Sequence, residues 1–592
     1  MNAQSWKLAA GCVGLIVALS GCGGGGGGGG DSPSGAASGG TTTGGGSSSP
    51  TPTVPAATGL SIGIGLKQLQ LSWTAVAGAS SYRILEATDG STFVQLGGDL
   101  PGTQTTYNRD IAVHQQNWSG ARYQVQACNT EGCSTSAAIG AASGVLQAIG
   151  YFKASNTNAG DNFGWTLALS TDGNTLAVGA PGEASAAKDI GGSQTDNSVD
   201  QAGAVYVFAR GSSGWTQQAY LKSANTQVGD TFGESLALSA NGNTLVAGAP
   251  LDNSASLNDS GAAYVFVRTG STWATQATLR APTPAGNAYF GWASALSSDG
   301  NTLAIGAVGT ATDTGAVHVF TRSGASWTAR TALTASNAGS GDNFGSALAL
   351  NGAGTVLAVG APYEASANTT QSNNSAASAG AVYTFAGSGA SWSQTGYLKA
   401  SNVGAGDNFG ASVSLSSTGD VLAVGAPYEA SSATGVDGSQ SNNSATLSGA
   451  VYVFNATGGT WTQSAYLKAS NTGANDNFGT AVALGSAGNW LAVGAIGESS
   501  AATGLGGNQA DNTRDGVGAA YTFALSGGTW AQQSYIKPAT AQAGGEFGST
   551  FGVSADTRTL AIGATFEGSA AQGVGGSQTS TSAAESGAVW LY

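Results

Sequence analysis

A Phe-Gly pair recurs seven times, at Phe163, Phe232, Phe290, Phe344, Phe409, Phe478 and Phe547, at intervals of 54–69 residues. Nothing else in the chain restricts its fold as strongly. Each pair opens the same unit, clearest between 397 and 465. There YLKASNVGAGDNFG (397–410) leads to VLAVGAP (421–427). A long polar loop follows, then GAVYVF (449–454), and the next unit begins its approach at Trp461. A period this long exceeds most solenoid repeats and matches units that carry several strands each.

Each unit reads as four short strands. In the first they are FGWTLALS (163–170), NTLAVGAP (174–181), GAVYVFAR (203–210) and WTQQAYLKS (215–223). The runs are rich in Val, Leu, Tyr and Phe, with Gly or Asn-Gly at the turns, as hairpins require. Only 8% of the residues are charged while 96 are Gly, which favours an all-β chain of hairpins. Four antiparallel strands make a blade, and seven blades make a propeller. Along the third strand Ala204, Tyr206 and Phe208 should face one neighbouring blade, and Val205 and Val207 the other. The small Gly179-Ala180 pair belongs where blades crowd. Tryptophans at 215, 273, 327, 392, 461 and 530 start the fourth strand of six repeats. The last repeat stops at its third strand, GAVWLY (587–592). Its fourth is found upstream, where LQAIGYFKAS (146–155) aligns with AQQSYIKPA (531–539). The expected domain is therefore a seven-bladed β-propeller over 147–592, closed by strand 147–155, which removes the sheet edge an open array would expose.

Residues 1–22 carry Lys7, an apolar stretch over 8–18, and Leu19-Ser20-Gly21-Cys22. This is a secretion signal, too short to span a bilayer. Its end resembles a bacterial lipobox. The resemblance implies cleavage before Cys22, lipidation of its sulfur and, with Gly at 23, the outer membrane. The protein would face the periplasm or the outside, and touch the membrane through the lipid alone. Residues 23–54, rich in Gly, Ser, Thr and Pro, bury nothing and read as a disordered tether.

Residues 55–146 read as a small sandwich. LQLSWTAVAGASSYRILEAT (69–88) gives two alternating strands, and RYQVQACNTEGCSTSAAI (122–139) a hairpin. The segment resembles a fibronectin type III domain, with Trp73 as the core tryptophan and Tyr82 and Tyr123 on following strands. Cys128 and Cys133 flank the hairpin turn and are expected to form a disulfide. His114 is expected to be a surface or loop histidine.

Phe-Gly followed by Gly-Ala-Pro, seven times over, resembles the FG-GAP repeats of the integrin α-subunit propeller, and still more the bacterial integrin-like proteins with long loops after Gly-Ala-Pro. The triplet is intact at 179–181, 248–250, 360–362 and 425–427 and has drifted at 306–308, 494–496 and 563–565. In integrins the turns between strands one and two hold calcium. Here those turns, such as TDGN (171–174) and SDGN (298–301), carry too few carboxylates for an ion needing six to eight oxygens.

The opposite face holds recurring acids. Glu183, Glu364, Glu429 and Glu498 follow the Gly-Ala-Pro triplets, as does Glu567. Asp161, Asp342, Asp407 and Asp476 precede the Phe-Gly pairs, as does Asp230. Asp196 and Asp511 lie deeper in the loops. Two readings share these residues: a Ca2+ shell built from several loops, or side chains that cap turns and loop backbone. Loops from the triplet Gly to the third strand span 24 residues in repeats one, five, six and seven, 20 in four, 13 in two and 9 in three. The long loops form one arc, and a binding surface is expected on or beside it.

These features favour a lipid-anchored envelope protein of binding or adhesion type, with a protein or glycan ligand. A propeller enzyme acting on glycans through paired carboxylates is the alternative, and a structural part of an envelope assembly a third. The net charge of −14 disfavours nucleic acid. The ring contains no cysteine and only His318, too little for a copper oxidase, and the boxes of sialidases are absent.

Overall fold

The computed structural model describes residues 59–592 except 116–117, 142–143 and 255. The expected signal peptide, Cys22 and the tether lie outside the described residues. Among those described, no helix is long and apolar enough to cross a membrane.

The repeats fold as seven four-stranded antiparallel sheets. Sheet one comprises Thr166–Leu169, Thr175–Ala180, Ala204–Gly211 and Gly214–Leu221. Sheet seven comprises Phe547–Val553, Leu560–Ala564, Ala588–Leu591 and, from far upstream, Gly150–Phe152. Val589 pairs with Phe152, and Leu591 with Gly150. The first strands form an inner circle. Each touches the first strand of the next sheet, and that of sheet seven touches that of sheet one. The chain is thus an all-β propeller.

Its cores lie between sheets. Ala204, Tyr206 and Phe208 pack with Val589 and Leu591 of sheet seven. Val205 and Val207 pack with Ala247 and Tyr264 of sheet two. Third strands are therefore apolar on both faces, each face covered by a different neighbour. The Phe of each Phe-Gly pair sits at these joints. Phe232 is fully buried and meets Tyr264 and Phe266 at 5.4 and 6.1 Å. Burial of such a ring contributes about 1.5–3 kcal/mol.

The glycines serve close approach. A Cβ on Gly179 would lie 2.2 Å from the carbonyl oxygen of Gly233 in the next sheet, so the Gly-Ala-Pro triplet meets the following Phe-Gly pair backbone to backbone. Gly203 has φ +78°, and a Cβ there would lie 2.1 Å from the Phe232 oxygen. The same joint closes the circle, where the Phe163 amide donates to the Ser586 carbonyl at 2.9 Å.

Two further devices hold the array. The turns between strands one and two link into a belt: Thr171 N to Ala240 O, Ala240 N to Ser298 O, Ser298 N to Gly352 O, Gly352 N to Ser417 O, Ser417 N to Ser486 O, and Ala555 N to Thr171 O, all at 2.9–3.0 Å. The 24-residue loops also fold back along the outer strands. Ile190 bridges Leu221, Val436 bridges Leu467, Leu505 bridges Ile536 and Val574 bridges Phe152. The sheets with the longest loops are thus the ones whose outer edge is partly covered, a protection that exposed edges need.

Residues 61–140 form two antiparallel sheets. One has the order Ser61–Gly65, Gln68–Ser72, Thr106–Asp110. The other has the order Val94–Pro101, Ser81–Ala87, Arg122–Asn129, Gly132–Thr135, with Ile139–Gly140 also on Arg122–Asn129. Trp73, Tyr82 and Tyr123 are buried between them. Cys128 and Cys133 are cross-strand partners joined by a disulfide.

This unit is packed against the ring, on the face that carries the strand one–two turns. His114 is not at the surface: it lies in the short turn Val113–Gln115 between strands and is 1% exposed. Its ring lies edge-on to Trp490 at 5.8 Å, and its Nε2 meets the Thr557 carbonyl at 3.0 Å. Ser534 Oγ donates to the His114 carbonyl at 2.6 Å. Lys67, buried, donates through Nζ to the carbonyls of Arg558 and Tyr592 and to Thr559 Oγ1. Burial, with Arg210 and Arg558 near, pushes the Lys67 ammonium down to about 7. One apolar core runs from Trp73 through Val145, Ala148 and Ile149 to Trp490, Phe547 and Trp590. The small unit therefore braces sheets six and seven, beside the strand that closes the ring.

Candidate functional site

The recurring acids have distinct environments. Glu183 is fully buried. Its Oε2 lies 2.7 Å from Lys222 Nζ, and its Oε1 accepts from Asn156 Nδ2 and Tyr220 OH, both at 2.9 Å. The segment YLKSA (220–224) supplies both Tyr and Lys. Glu364 pairs with Lys399, Glu429 with Lys468 and Glu567 with Lys153 at 2.9 Å, and Glu498 with Lys537 at 2.5 Å. The lysine of the closing strand, Lys153, thus anchors sheet seven as its counterparts anchor the others. These carboxylates tie each long loop to the end of its own fourth strand.

The Asp set caps turns. Asp161 accepts from the Asn158 amide at 2.7 Å, Asp342 from Gly339 at 2.7 Å, Asp407 from Gly404 at 2.8 Å and Asp476 from Gly473 at 2.7 Å. Asp230 does the same for Gln227. Asp196 accepts from the Ser198 amide, and Asp511 from Ala501 and Thr513. Asp172, in a strand one–two turn, accepts from Asn174. Among the described residues, no group of three or more His, Cys, Asp or Glu is placed to hold a metal.

Burial gives the Asp set a pH signature. It pushes Asp161 and Asp230 up to about 7, and Asp342, Asp407 and Asp476 up to about 6. A carboxyl raised in the folded state stabilises the fold fully below its unfolded value and loses that contribution as pH rises through its folded value. His114, pushed down to about 3 by burial, acts in the opposite sense below its unfolded value of 6.5. Glu546, raised by burial to about 7, adds to the Asp set. Lys67, lowered to about 7, joins His114 because it costs stability as pH falls towards 7. Six carboxyls outweigh one imidazole and one ammonium. The denaturant midpoint of the full chain is expected to rise from pH 8 to pH 5.5; a flat or falling profile would contradict this reading of the Asp set.

The feature with the character of a ligand site lies at the centre of the long-loop face. Where first strands begin and second strands end, the ring encloses a cavity of about 270 Å3. Five aromatic side chains line it: Trp165, Trp292, Tyr363, Tyr428 and Phe566. They reach it from two sequence positions. Trp165 and Trp292 directly follow Phe-Gly in sheets one and three, where the residue after the Gly-Ala-x triplet is Gly182 or Gly309. Tyr363, Tyr428 and Phe566 follow the triplet in sheets four, five and seven, where Ser346, Ala411 or Ser549 follows Phe-Gly. Each of these sheets sends one ring to the mouth and keeps its other position small. This complementary pattern was present in the sequence, yet a reading of loop length and charge passes over it.

Between the rings stand polar groups. Asn343 and Asn477 line the cavity and are 6% and 4% exposed. Asn343 Oδ1 has no hydrogen-bond partner. Glu546 also lines it; burial first, then the nearby Glu585 carboxylate, push its carboxyl up to about 7. Trp165 Nε1 donates to Glu234 Oε1 at 3.0 Å, which fixes one ring of the rim.

The FG-GAP repeat family matches residues 150–208, 215–266, 273–320, 327–385, 392–454 and 461–523, together more than half of the chain. A search of curated proteins finds no match. The matched segments are the repeats whose Phe-Gly and Gly-Ala-Pro backbones meet at the joints, and a ring of this kind is a ligand-binding or adhesion-type scaffold. The chain belongs to the family of integrin-like FG-GAP repeat proteins.

Proposed function

We propose that this protein is a lipid-anchored binding protein of the cell envelope that presents the mouth of its ring to a protein or glycan ligand. The observation that carries the reading is the aromatic-lined cavity on a scaffold locked by ion pairs, belt and brace. Rigid frames of this type commonly hold sites at their loop ends. The lipobox-like Leu19-Ser20-Gly21-Cys22 supports the anchor. The strand orders of the small unit, with Trp73, Tyr82 and Tyr123 in its core, support the fibronectin type III resemblance and give it the role of spacer and brace. The protein acts by binding rather than catalysis: the recurrent glutamates are held by lysines, which leaves them poorly suited to proton transfer. Calcium has no part in this reading, since the acids that recur are spent on turns and ion pairs.

Cys22→Ser is expected to move the protein from the membrane to the soluble fraction with its circular dichroism unchanged. Retention in the membrane would sink the anchor. Cells carrying Trp292→Ala with Tyr428→Ala are expected to adhere at least tenfold less to a surface that retains wild-type cells. Equal adherence would remove the mouth as the platform.

A further inference from the structure

We infer that the mouth of the ring takes a neutral sugar residue, the exposed end of a glycan. The inference rests on the reading of the mouth as the ligand site and names the chemistry that fits it.

Size sets the first limit. A cavity of about 270 Å3 is near the lower bound of small-ligand sites, roughly 300 Å3. It admits one ring-sized group and no folded domain. The lining sets the second. Faces of Trp and Tyr are electron-rich, and the polarised C–H edges of a pyranose lie favourably on them. A sugar presents such a face together with hydroxyls that both donate and accept. The groups beside the rings are polar and uncharged: the amides of Asn343 and Asn477 and the hydroxyls of Thr480 and Ser549. Asn477 Nδ2 donates to the Pro427 and Leu447 carbonyls and Thr480 Oγ1 to the Asn477 carbonyl, so these two present mainly acceptors to a ligand. Asn343 Oδ1, buried and without a partner, requires a donor. A hydroxyl supplies it.

A lysine or arginine side chain is the competing occupant, because aromatic faces also attract cations. It brings donors only: it can meet Asn343 Oδ1, but it offers no acceptor to a site whose lining also carries hydroxyls. It would also depend on Glu546 as counter-charge. That carboxyl is half-buried near Glu585 and exchanges its proton near neutrality, which suits a partner for hydroxyls better than a fixed anion.

The test is titration of the full-length protein, held in a detergent without a sugar headgroup, followed by tryptophan emission and calorimetry. The probes are glucose, galactose, mannose, N-acetylglucosamine and their β-linked disaccharides, with Nα-acetyl-lysinamide as the cationic probe. At least one neutral sugar is expected to change the emission saturably. Its affinity is expected to fall at least tenfold in Tyr428→Ala and to be kept in Tyr428→Phe, which preserves the ring face and reports on folding. Binding of the lysinamide with silence from every sugar overturns the glycan and leaves the mouth as a site for a cationic side chain. Silence from every probe, with adherence still lost in the double variant, also overturns the sugar while the binding reading survives. Silence together with undiminished adherence overturns both.

Discussion

Replacing Lys468 with methionine is expected to lower the stability of the ring by about 3–5 kcal/mol. Lys468 is fully buried and Glu429 is 1% exposed. Removing the ammonium leaves a carboxylate without its counter-charge in a site closed to water, and that uncompensated charge dominates the cost. Glu429 keeps Asn402 Nδ2 at 2.9 Å, which offsets only part of it. The double variant Glu429→Gln with Lys468→Met should recover most of the loss, because both charges then leave together. Equilibrium denaturation of the single and double variants decides the matter. A single variant within about 1 kcal/mol of wild type would mean that solvent reaches the pair. The repeats already record a version of this experiment. In sheet two Glu and Lys are replaced together by Asp252 and Arg280, a shorter acid with a longer base, and the pair persists at 2.5 Å. In sheet three the Glu position is Thr310, the Lys position Thr334, and the Tyr of the third strand His318. The charges were lost as a set.

Phe152→Ala should cost about as much, roughly 3–5 kcal/mol, for a different reason. Phe152 is fully buried and meets Phe208 and Trp215 edge-on at 5.2 and 5.6 Å. It therefore belongs to the joint between sheets seven and one as well as to the strand that completes sheet seven. Weakening it exposes the Ala588–Leu591 edge, and exposed edges associate. The expected result is a lower denaturant midpoint together with oligomers on size exclusion. An unchanged midpoint with a monomeric profile would mean that the closing strand contributes little to holding the ring shut.

The fold was legible because its determinants are local and repeated. Large rings such as Tyr206 and Phe208 alternate with smaller residues such as Val205 and Val207 along most versions of the third strand, and both faces of a buried strand show that signature. The upstream closing strand was legible because residues 146–155 repeat the fourth-strand pattern of 531–539. The acids were legible as positions and ambiguous as chemistry. Recurrence of Glu183 and its counterparts is equally required by a metal shell and by an ion pair. The lysine that distinguishes the two lies 35 to 39 residues downstream in four repeats and 414 residues upstream in the last, in a motif that reads as plain strand. His114 offered no signal at all, since what buries it is Trp490 and Thr557, residues more than 370 positions away. The mouth was hidden for another reason. Its rings come from two alternating offsets, and each looks like an ordinary variable position until the sheets are placed side by side.

The pairing of Val589 with Phe152 also sets a clock. The two residues are separated by 437 positions. At about 5–20 residues per second of synthesis, the earlier strand waits on the order of 20–90 s for its partner. During that time six sheets can assemble in order, each against the one before, while the seventh cannot exist. The small unit directly upstream folds from contiguous residues and has no such delay, so it is in place to hold the waiting strand at its root. Until the last residues arrive, the nascent protein is an open arc with two mismatched ends, and the interval before closure is when it most needs protection from its neighbours.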